Sequence, residues 1–319
     1  MDEGQVSAIS DGFERIETHV SWLLMDKEHV YKIKKPLRFS FLDFSTMELR
    51  EFYCREEVRL NSRLSPDVYL GVVPIAEEDG TLRIEGRGRA IDHAVKMVRL
   101  DQGRRMDLLL KEDNVGADEV RTIAGMVASF HERAEIARGG FGSPAMIASQ
   151  IGDLGNFREA IEKASGLGRW VDSILLKSSA FMKRNDGLLR RRAGGGFVRD
   201  CHGDLHTANV FLTDPIRAID CIEFNADFRC IDVASDIAFM AMDLEYAGRD
   251  DLSETFVGEY LSRTGDKDAE ALLQFYKCYR ANVRAKIAAI EWLQKPADEP
   301  RERIDRYVLL AERYAKEFS

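Results

Sequence analysis

The sequence predicts an α+β fold made of two unequal lobes, a β-rich N-terminal lobe over residues 1–100 and a mostly helical C-terminal lobe over residues 101–319. Three observations support this prediction. Short apolar runs of strand length fill the first hundred residues, and apolar residues at helical spacing dominate the rest of the chain. In addition, a length of 319 residues is enough for two compact units of about 150 residues each.

In the N-terminal lobe, the apolar runs at 20–25 and 29–34 flank a polar turn and predict a β-hairpin. Ser45 is followed three residues later by Glu48, a capping-box spacing that predicts the start of a helix ending near Leu64. The other predicted elements of this lobe are strands, so the lobe is β-rich. Further strands are predicted at 68–75, 81–84 and 94–100.

The pattern becomes helical after a polar stretch that begins at residue 101. Apolar residues recur every three or four positions across 117–136, and further helices are predicted within 144–190 and 250–319. Short apolar runs interrupt these helices and predict a small β island. The runs are 197–199, 210–212 and 218–222.

The composition narrows the class of protein. The chain has 46 Lys and Arg against 55 Asp and Glu, a net charge of −9, which argues against a general nucleic-acid binder. No uncharged apolar run reaches the roughly 18 residues of a membrane helix, and the first residues lack the pattern of a signal peptide. The five cysteines are scattered, as expected of reduced thiols. We therefore expect a cytoplasmic protein without nucleic-acid or membrane partners; nothing in the sequence indicates the oligomeric state.

The strongest functional signal is the segment His-Gly-Asp-Leu-His-Thr-Ala-Asn at 202–209, which lies between two predicted strands. Asp204 and Asn209 have the separation of the Asp and Asn in the protein-kinase catalytic loop. In phosphoryl transfer the carboxylate orients the acceptor hydroxyl and accepts its proton, while an oxygen ligand binds the metal on the phosphates. Asp220 follows Asn209 by eleven residues at the end of an apolar run, a position that suits a second metal ligand.

These motifs resemble those of a known family. HGDLHTANV, followed by AIDCIEF and then by DIA, is similar to the aminoglycoside phosphotransferase-like family of small-molecule kinases, which has choline kinases among its relatives. VYKIKKP, FLDFST and CIEFN are most similar to an uncharacterised bacterial branch of that family. The resemblance implies a bilobal protein-kinase-like fold, ATP and Mg²⁺ as cofactors, Asp204 as catalytic base, and Asn209 and Asp220 as metal ligands. For the aspartate of the last motif, Asp236 and Asp232 are competing matches.

The nucleotide lysine is expected on the second strand of the predicted hairpin. Lys32 and Lys34 point to the same face, because side chains alternate along a strand. The kinase pattern places a small apolar residue two positions before the lysine, over the adenine. Val30 fills this position for Lys32, which favours Lys32 and leaves Lys34 as the alternative. The following helix should supply an acidic partner, and Glu57 is favoured over Glu56 by its spacing from later leucines.

A glycine-rich phosphate loop is missing from the sequence. No G-x-G-x-x-G precedes the lysine strand, and the loop at 17–21 is the candidate in its place, with Ser21 as a phosphate-binding residue. The missing glycines keep open a second hypothesis. In that hypothesis the chain is a nucleotide-binding pseudokinase or a regulatory protein that acts through partners.

Histidines and cysteines near the motif allow another interpretation. His131 and His202 are expected to be packed, hydrogen-bonded histidines rather than catalytic groups. A zinc site is a weaker alternative, because residues of ligand type occur here but in no common spacing. The residues of that site would be Cys201, His202, His206 and Cys221.

Candidates for acceptor binding lie late in the sequence. Arg280 and Arg284 are one helical turn apart, with Lys277 on the same side. Such a basic row suits an anionic acceptor such as a sugar acid or a phosphate, and pairing with the acidic stretch 243–251 is the alternative. Glu223, shortly after the metal aspartate, either assists the metal, binds substrate or has a structural role.

The motifs together predict an ATP- and Mg²⁺-dependent kinase. It would transfer the γ-phosphate to a hydroxyl of a small molecule such as a sugar, an amino alcohol or an aminoglycoside. A protein kinase is disfavoured, because the sequence has neither D-F-G nor A-P-E and no evident activation loop. The net charge does not select the acceptor, because composition does not show where the charges lie.

Overall fold

The computed structural model describes residues 1–39 and 41–319, which form twelve β-strands and thirteen α-helices. The strands are β1 (Glu14–Glu17), β2 (Ser21–Met25), β3 (His29–Lys34), β4 (Arg38–Phe39), β5 (Leu42–Asp43), β6 (Tyr69–Glu78), β7 (Thr81–Ile84), β8 (Arg89–Val98), β9 (Val198–Asp200), β10 (Val210–Phe211), β11 (Arg217–Ala218) and β12 (Cys230–Asp232). The helices are α1 (Glu3–Ala8), α2 (Met47–Asn61), α3 (Met106–Lys111), α4 (Ala117–Arg133), α5 (Pro144–Gly152), α6 (Arg158–Ser165), α7 (Gly168–Arg184), α8 (Asp186–Gly194), α9 (Ala226–Arg229), α10 (Val233–Tyr246), α11 (Asp250–Thr264), α12 (Lys267–Gln294) and α13 (Asp298–Glu317).

The chain divides into two compact units. The N-terminal unit comprises Met1–Met106 and Asn209–Ala226. The C-terminal unit comprises Asp107–Ala208 and Asp227–Ser319. The sequence predicted a single division near residue 100, which left the segment Asn209–Ala226 in the helical C-terminal lobe. In the structure this segment belongs to the N-terminal unit.

Long-range bonds explain why the segment Asn209–Ala226 packs with the N-terminal unit. Ser65 Oγ donates to the carbonyl of Ala218 at 2.7 Å. Arg217 forms an ion pair with Asp67. Both partners lie in the connection between α2 and β6, so they hold the β10–β11 hairpin against that connection. Local spacing along the sequence does not encode such bonds.

A six-stranded antiparallel sheet forms the centre of the N-terminal unit, in the order β1-β2-β3-β8-β6-β7. β2 and β3 are the two strands of the predicted hairpin, which the structure confirms. Alternation along β3 sends Tyr31 and Ile33 into an apolar cluster with Trp22 and α1. Lys32 therefore faces the other side of the sheet, where α2 packs against β8 and β6.

Helix α2 begins one residue later than the sequence predicts. Thr46, not Ser45, is the N-cap, and its side chain accepts the backbone N–H of Leu49. The Ser45 hydroxyl is used elsewhere, because it donates to Asp43 Oδ1 at 2.6 Å. The helix ends at Asn61, before the predicted end.

The C-terminal unit is built from helices around α10, most of whose residues are buried. Helices α12 and α13 pack along one another and share an apolar cluster with α6, α7 and α10. The helix predicted at 117–136 is α4, which ends at Arg133. Across residues 1–39 and 41–319, none of the helices has both the length and the apolar content that crossing a bilayer requires.

Candidate functional site

Two lysines of β3 share one carboxylate of α2. Lys32 Nζ lies 2.8 Å from Glu57 Oε1, and Lys34 Nζ lies 2.6 Å from Glu57 Oε2. Glu57 is fully buried, whereas the neighbouring Glu56 pairs with the half-exposed Arg59. Burial alone would raise the pKa of the Glu57 carboxyl, but the two ammonium groups outweigh it and lower the pKa to about 2. The structure thus brings Glu57, the glutamate that the sequence favours, to both candidate lysines.

Lys34 is the buried member of the pair, with 1% of its side chain exposed. Besides Glu57, its ammonium group binds the Glu223 carboxylate and lies 4.9 Å from the centre of the Phe44 ring. Burial opposes the charged form, but Glu223 and Glu57 outweigh it and raise the pKa of Lys34. Burial also raises the pKa of the Glu223 carboxyl. Of the three roles that the sequence left open for Glu223, this contact matches the structural one.

Lys32 is the member of the pair that a ligand can reach. Its side chain is 15% exposed, and its Nζ lies 2.6 Å from Asp220 Oδ1. Burial opposes the charge of Lys32, but Asp220 and Glu57 outweigh it and raise the pKa well above its ordinary value. The Asp220 side chain is 49% exposed. Lys32 therefore connects a buried carboxylate to an exposed one.

The backbone at Asp220 is held in an uncommon conformation. Its φ is +64°, in the left-handed region that residues other than glycine rarely adopt. Its N–H donates to the Tyr69 hydroxyl at 3.1 Å, and the N–H of Cys221 donates to Asn61 Oδ1 at 2.8 Å. Because Tyr69 and Asn61 are buried, two fixed acceptors orient the Asp220 carboxylate. Neither residue can be predicted from the sequence, since a single Tyr and a single Asn carry no motif.

Asn209 and Asp220 lie at the same end of the β10–β11 hairpin. Val210 pairs with Ala218, and the Asn209 carbonyl accepts the N–H of Ile219 at 2.9 Å. An amide oxygen and a carboxylate are the hard oxygen ligands that Mg²⁺ prefers. The two residues at this end of the hairpin therefore have side chains of the types that fit a magnesium ion.

Val30 and Ser21 are the other residues predicted to bind the nucleotide, and their surroundings differ. Val30 is half-buried at the edge of an apolar cluster formed by α2, β6 and β8, which Leu100 and Ile219 also border. Ser21 lies within β2 instead of the preceding loop, and its buried hydroxyl has no hydrogen-bond partner among the described residues. In the predicted phosphate loop, Glu17, Thr18 and His19 are exposed, whereas Val20 is half-buried.

In the C-terminal unit, Asp204 follows β9, with 31% of its side chain exposed. His206 Nε2 lies 3.4 Å from Asp204 Oδ2, and the Asp204 N–H donates to His202 Nδ1 at 3.3 Å. Burial alone would raise the pKa of the Asp204 carboxyl. Interactions with His206 and then with Arg284 and His202 outweigh burial and hold the pKa of Asp204 below its ordinary value. The carboxylate is therefore ionised at neutral pH, as a general base must be.

Asp236 holds the backbone of the same loop. Its carboxylate accepts the N–H of His202 at 3.1 Å and that of Gly203 at 2.9 Å. The φ of +84° at Gly203 is a conformation that glycine adopts without steric cost. His131 lies 3.0 Å from the same carboxylate and 2.8 Å from the Tyr260 hydroxyl. His131 is thus the packed, hydrogen-bonded histidine that the sequence predicts.

Asp232, the competing match for the last motif, has a different environment. Its carboxylate oxygens accept bonds from Arg192 at 2.7 and 2.8 Å, and one of them caps α10 at the N–H of Ala234. Arg192 also binds Asp266. Asp236, which contacts the loop, is therefore the better counterpart of the motif aspartate.

The zinc alternative does not match the arrangement of ligand atoms. Within the part of the chain that the structure describes, one group of His, Cys and carboxylate atoms is close enough to share a metal, and every member of it is buried. Its histidine and its carboxylate already bond to each other, the histidine also to Tyr260 and the carboxylate also to the loop. The members are His131, Cys201 and Asp236.

The three predicted cations of α12 have different partners. Lys277 lies 2.5 Å from Glu245, which is the predicted pairing with the acidic stretch. Arg280 is buried and donates to two backbone carbonyls, one of them that of Gly203, each at 3.0 Å. It braces the Asp204 loop, which differs from the expected contact with a substrate. Arg284 has neither a carboxylate nor a backbone carbonyl as a partner among the described residues, and its Nε lies 3.4 Å from the Tyr307 hydroxyl.

The sequence of the chain is similar to those of mycobacterial proteins. No family model matches the chain. Uncharacterised proteins of Mycobacterium tuberculosis and Mycobacterium bovis are each 33% identical to it over 284 residues. The aligned region covers 87% of this chain and 55% of each relative, so the chain spans about half the length of the curated relatives it matches.

Solved structures are similar over almost the whole chain. A choline kinase from Cryptosporidium parvum has a TM-score of 0.58 at 14% identity, covering 96% of this chain and 89% of that one. An ethanolamine kinase from Plasmodium vivax has a TM-score of 0.54 at 12% identity, covering 98% and 83%. An ADP-bound aminoglycoside phosphotransferase has a TM-score of 0.52 at 11% identity, covering 98% and 99%. These similarities confirm the predicted α+β, protein-kinase-like fold. The chain therefore has the fold of the choline kinases and aminoglycoside phosphotransferases, and the resemblance seen in its motifs is confirmed at the level of that fold.

Proposed function

We propose that the chain is a phosphotransferase that moves the γ-phosphate of ATP to a hydroxyl of a small molecule with the help of Mg²⁺. The observation that carries this proposal is the line of charges from Glu57 through Lys32 to Asp220, with contacts of 2.8 and 2.6 Å. A lysine paired with a helix glutamate is the arrangement that positions the phosphates of ATP in kinases. The fold shared with choline and ethanolamine kinases and with aminoglycoside phosphotransferases supports the same class of reaction.

The N-terminal unit supplies the groups for the nucleotide. Lys32 binds the α- and β-phosphates, and Val30 with its apolar cluster contacts the adenine. Asn209 and Asp220 hold Mg²⁺, which when bound neutralises charge on the phosphates and polarises the γ-phosphoryl group. The connection at 18–20, where Thr18 and His19 are exposed, contacts the phosphates in place of a glycine-rich loop.

The C-terminal unit supplies the base for the acceptor. Asp204 accepts a hydrogen bond from the acceptor hydroxyl, orients its oxygen and receives its proton. A bond forms between that oxygen and the γ-phosphorus, while the bond from the γ-phosphorus to the β,γ-bridging oxygen breaks. ADP leaves with the bonding electron pair, and the proton passes from Asp204 to solvent. The products are ADP and a phosphate monoester.

The pseudokinase hypothesis depends on the missing glycine-rich loop. Against it, Asp204, Asn209 and Asp220 are all present, and the backbone around Asp220 is held by two buried acceptors. A protein that only binds nucleotide has no need for an ionised base in the loop at 202–209. We therefore favour an active enzyme.

We also place the reaction in the cytoplasm. None of the five cysteines forms a disulfide, and all of them are buried. Buried thiols of this kind are typical of proteins in a reducing compartment.

The test is ADP formation from Mg-ATP by the full chain, with a panel of sugars, sugar acids, amino alcohols and aminoglycosides. Asp204→Ala should reduce turnover roughly 10²- to 10⁴-fold, because the general base is lost. Nucleotide affinity, measured by calorimetry, should change little, since Asp204 binds the acceptor. Asp172→Ala, on an exposed pair with Arg158, is the matched control and should keep full turnover. Undiminished turnover of Asp204→Ala would contradict the assignment, and nucleotide binding without turnover of any acceptor would favour the pseudokinase.

A further inference from the structure

Arg284 is a positioned arginine whose charge has no carboxylate partner. It lies on α12, one turn after the loop brace Arg280. Its Nε is 3.4 Å from the Tyr307 hydroxyl, and no other side-chain or backbone acceptor among the described residues binds its guanidinium group. A guanidinium has five N–H donors in a planar fork, which matches carboxylate and phosphate oxygens. Most of that donor capacity is therefore available to a ligand.

A stack of aromatic and basic side chains fixes the position of Arg284. Its guanidinium carbon lies 5.7 Å from the Tyr307 ring centre, and the Tyr307 ring stacks on Tyr246 at 4.0 Å and 11°. On the far side of Tyr246, the guanidinium carbon of Arg306 lies 3.9 Å from the ring centre. Tyr307 is buried, and Arg306 also donates to the Tyr246 carbonyl at 2.6 Å. A side chain held by such packing loses little freedom when it binds a ligand.

The charged groups around Arg284 already have partners of their own. The charge of Arg284 lowers the pKa of Asp204, whose carboxylate lies beside His206. Asp243, the other nearby acid, accepts the N–H of Thr207 at 2.9 Å and the Thr207 hydroxyl at 2.5 Å. Neither acid comes within ion-pair distance of Arg284. The guanidinium therefore lies near the proposed base without being neutralised by direct contact.

A second arginine lies near Arg284, but its charge is paired. Arg303 on α13 is close enough that Arg284, after burial, contributes to lowering the Arg303 pKa. It is paired with Glu299 at 2.8 Å and with Glu291. These glutamates neutralise Arg303 and leave Arg284 as the cation with open coordination.

We propose that Arg284 binds an anionic group of the acceptor, a carboxylate or a phosphate, while Asp204 binds the hydroxyl that is phosphorylated. The proposal rests on the phosphotransferase function proposed above and names its substrate class, hydroxy acids or sugar phosphates. Cationic acceptors, such as amino alcohols and aminoglycosides, are excluded by the same guanidinium because like charges repel at short range. Among the candidate acceptors, Arg284 thus selects the anionic ones.

The experiment compares acceptors in matched pairs that differ in one anionic group. The pairs are gluconate with glucitol, glycerate with glycerol, and glucose 6-phosphate with glucose, with ethanolamine and kanamycin as cationic acceptors. Turnover of Mg-ATP by the full chain should be detected with at least one anionic member and should be at least tenfold lower with its neutral partner. The loss of a charge-assisted hydrogen bond is expected to have about this effect.

Variants separate recognition from folding. R284Q should raise the KM for the anionic acceptor roughly 10- to 100-fold, with the KM for ATP unchanged. R284K, which keeps the charge but loses the fork, should lie between R284Q and the wild type. The control R301Q removes an exposed arginine of α13 that pairs weakly with Asp298 and should leave both KM values unchanged. Thermal unfolding of each variant checks that it is folded.

The outcomes distinguish this inference from the function on which it rests. Equal turnover of neutral and anionic partners, or faster turnover of ethanolamine or kanamycin, would overturn the inference and leave the phosphotransferase intact. An unchanged KM for the anionic acceptor in folded R284Q would also overturn it. No turnover with any acceptor, together with intact nucleotide binding, would overturn both.

Discussion

The lysine network of the N-terminal unit and the Arg284 region of the C-terminal unit use charge in opposite ways. Lys34 is buried and forms ion pairs with the buried Glu57 and Glu223, so these charges are neutralised within the protein. Arg284 is held by aromatic packing and keeps most of its donors unused. The ion pairs of Lys34 fix the positions of the three side chains, whereas the guanidinium group of Arg284 remains able to bind a ligand. Burial together with mutual pairing thus separates structural charges from recognition charges.

The largest effect on stability is expected at Lys34. Lys34→Met leaves the Glu223 carboxylate buried without its cation, and removing one partner of a buried pair costs about 3–5 kcal/mol of unfolding free energy. Urea unfolding of the full chain measures this loss. The matched control is Lys35→Met, which removes a lysine paired with the half-exposed Glu17 and should cost much less, because exposed ion pairs contribute little to stability. Equal losses for the two variants would show that the lysine network does not stabilise the fold.

A smaller effect is expected from acid, through Asp236. Burial alone would raise the pKa of this carboxyl, but His131, His202 and Arg280 outweigh it and lower the pKa from 3.8 to about 2. Because the pKa is lower in the folded state, the contribution of about 2 kcal/mol is present above pH 4. It is lost as the pH falls from about 4 to about 2.

The measurement for Asp236 is urea unfolding of wild type and Asp236→Asn between pH 7 and pH 3. The difference in unfolding free energy should be constant near neutral pH and shrink below about pH 4, where the Asp236 carboxyl of the unfolded wild-type chain begins to gain its proton. Asp172→Asn, at an exposed pair, is the control and should show only a small difference that salt removes. A difference that stays constant down to pH 3 would contradict the assigned pKa.

The smallest effect is expected at Tyr69. Tyr69→Phe removes the acceptor of the Asp220 N–H, which should cost about 1 kcal/mol of stability and raise the Mg²⁺ concentration for half-maximal turnover a few-fold. Tyr31→Phe removes a comparable hydroxyl, which donates to Glu85 at 3.0 Å in the same sheet. It should leave the Mg²⁺ dependence unchanged. The same Mg²⁺ dependence in both variants would remove Tyr69 from the positioning of the metal ligand.

The sequence predicted the parts of the molecule that local spacing encodes. The hairpin of β2 and β3, the two lysines on one face and the choice of Glu57 over Glu56 follow from strand and helix periods. The capping residue was misplaced by one position, because the Ser45 hydroxyl bonds to Asp43 instead. The strand β1 was missed, since its sequence, ERIE, has one apolar residue.

The sequence could not predict contacts between residues far apart in the chain. Tyr69 and Asn61 bind the backbone near Asp220 across more than 150 positions. Arg280 and Arg284 look equivalent at a spacing of one helical turn. Only their partners, a backbone carbonyl for one and a tyrosine for the other, distinguish a loop brace from a ligand-binding group.

In the proposed reaction the γ-phosphate of ATP is transferred to a hydroxyl of the acceptor with Asp204 as the base. Phosphorus NMR of the full chain with Mg-ATP and an anionic hydroxy acceptor tests it directly, because it follows the γ-phosphorus to its product. We expect a phosphate monoester of the acceptor to appear as ADP accumulates, and we expect none with Asp204→Ala. Release of inorganic phosphate alone, or the same monoester signal from Asp204→Ala, would contradict the claim.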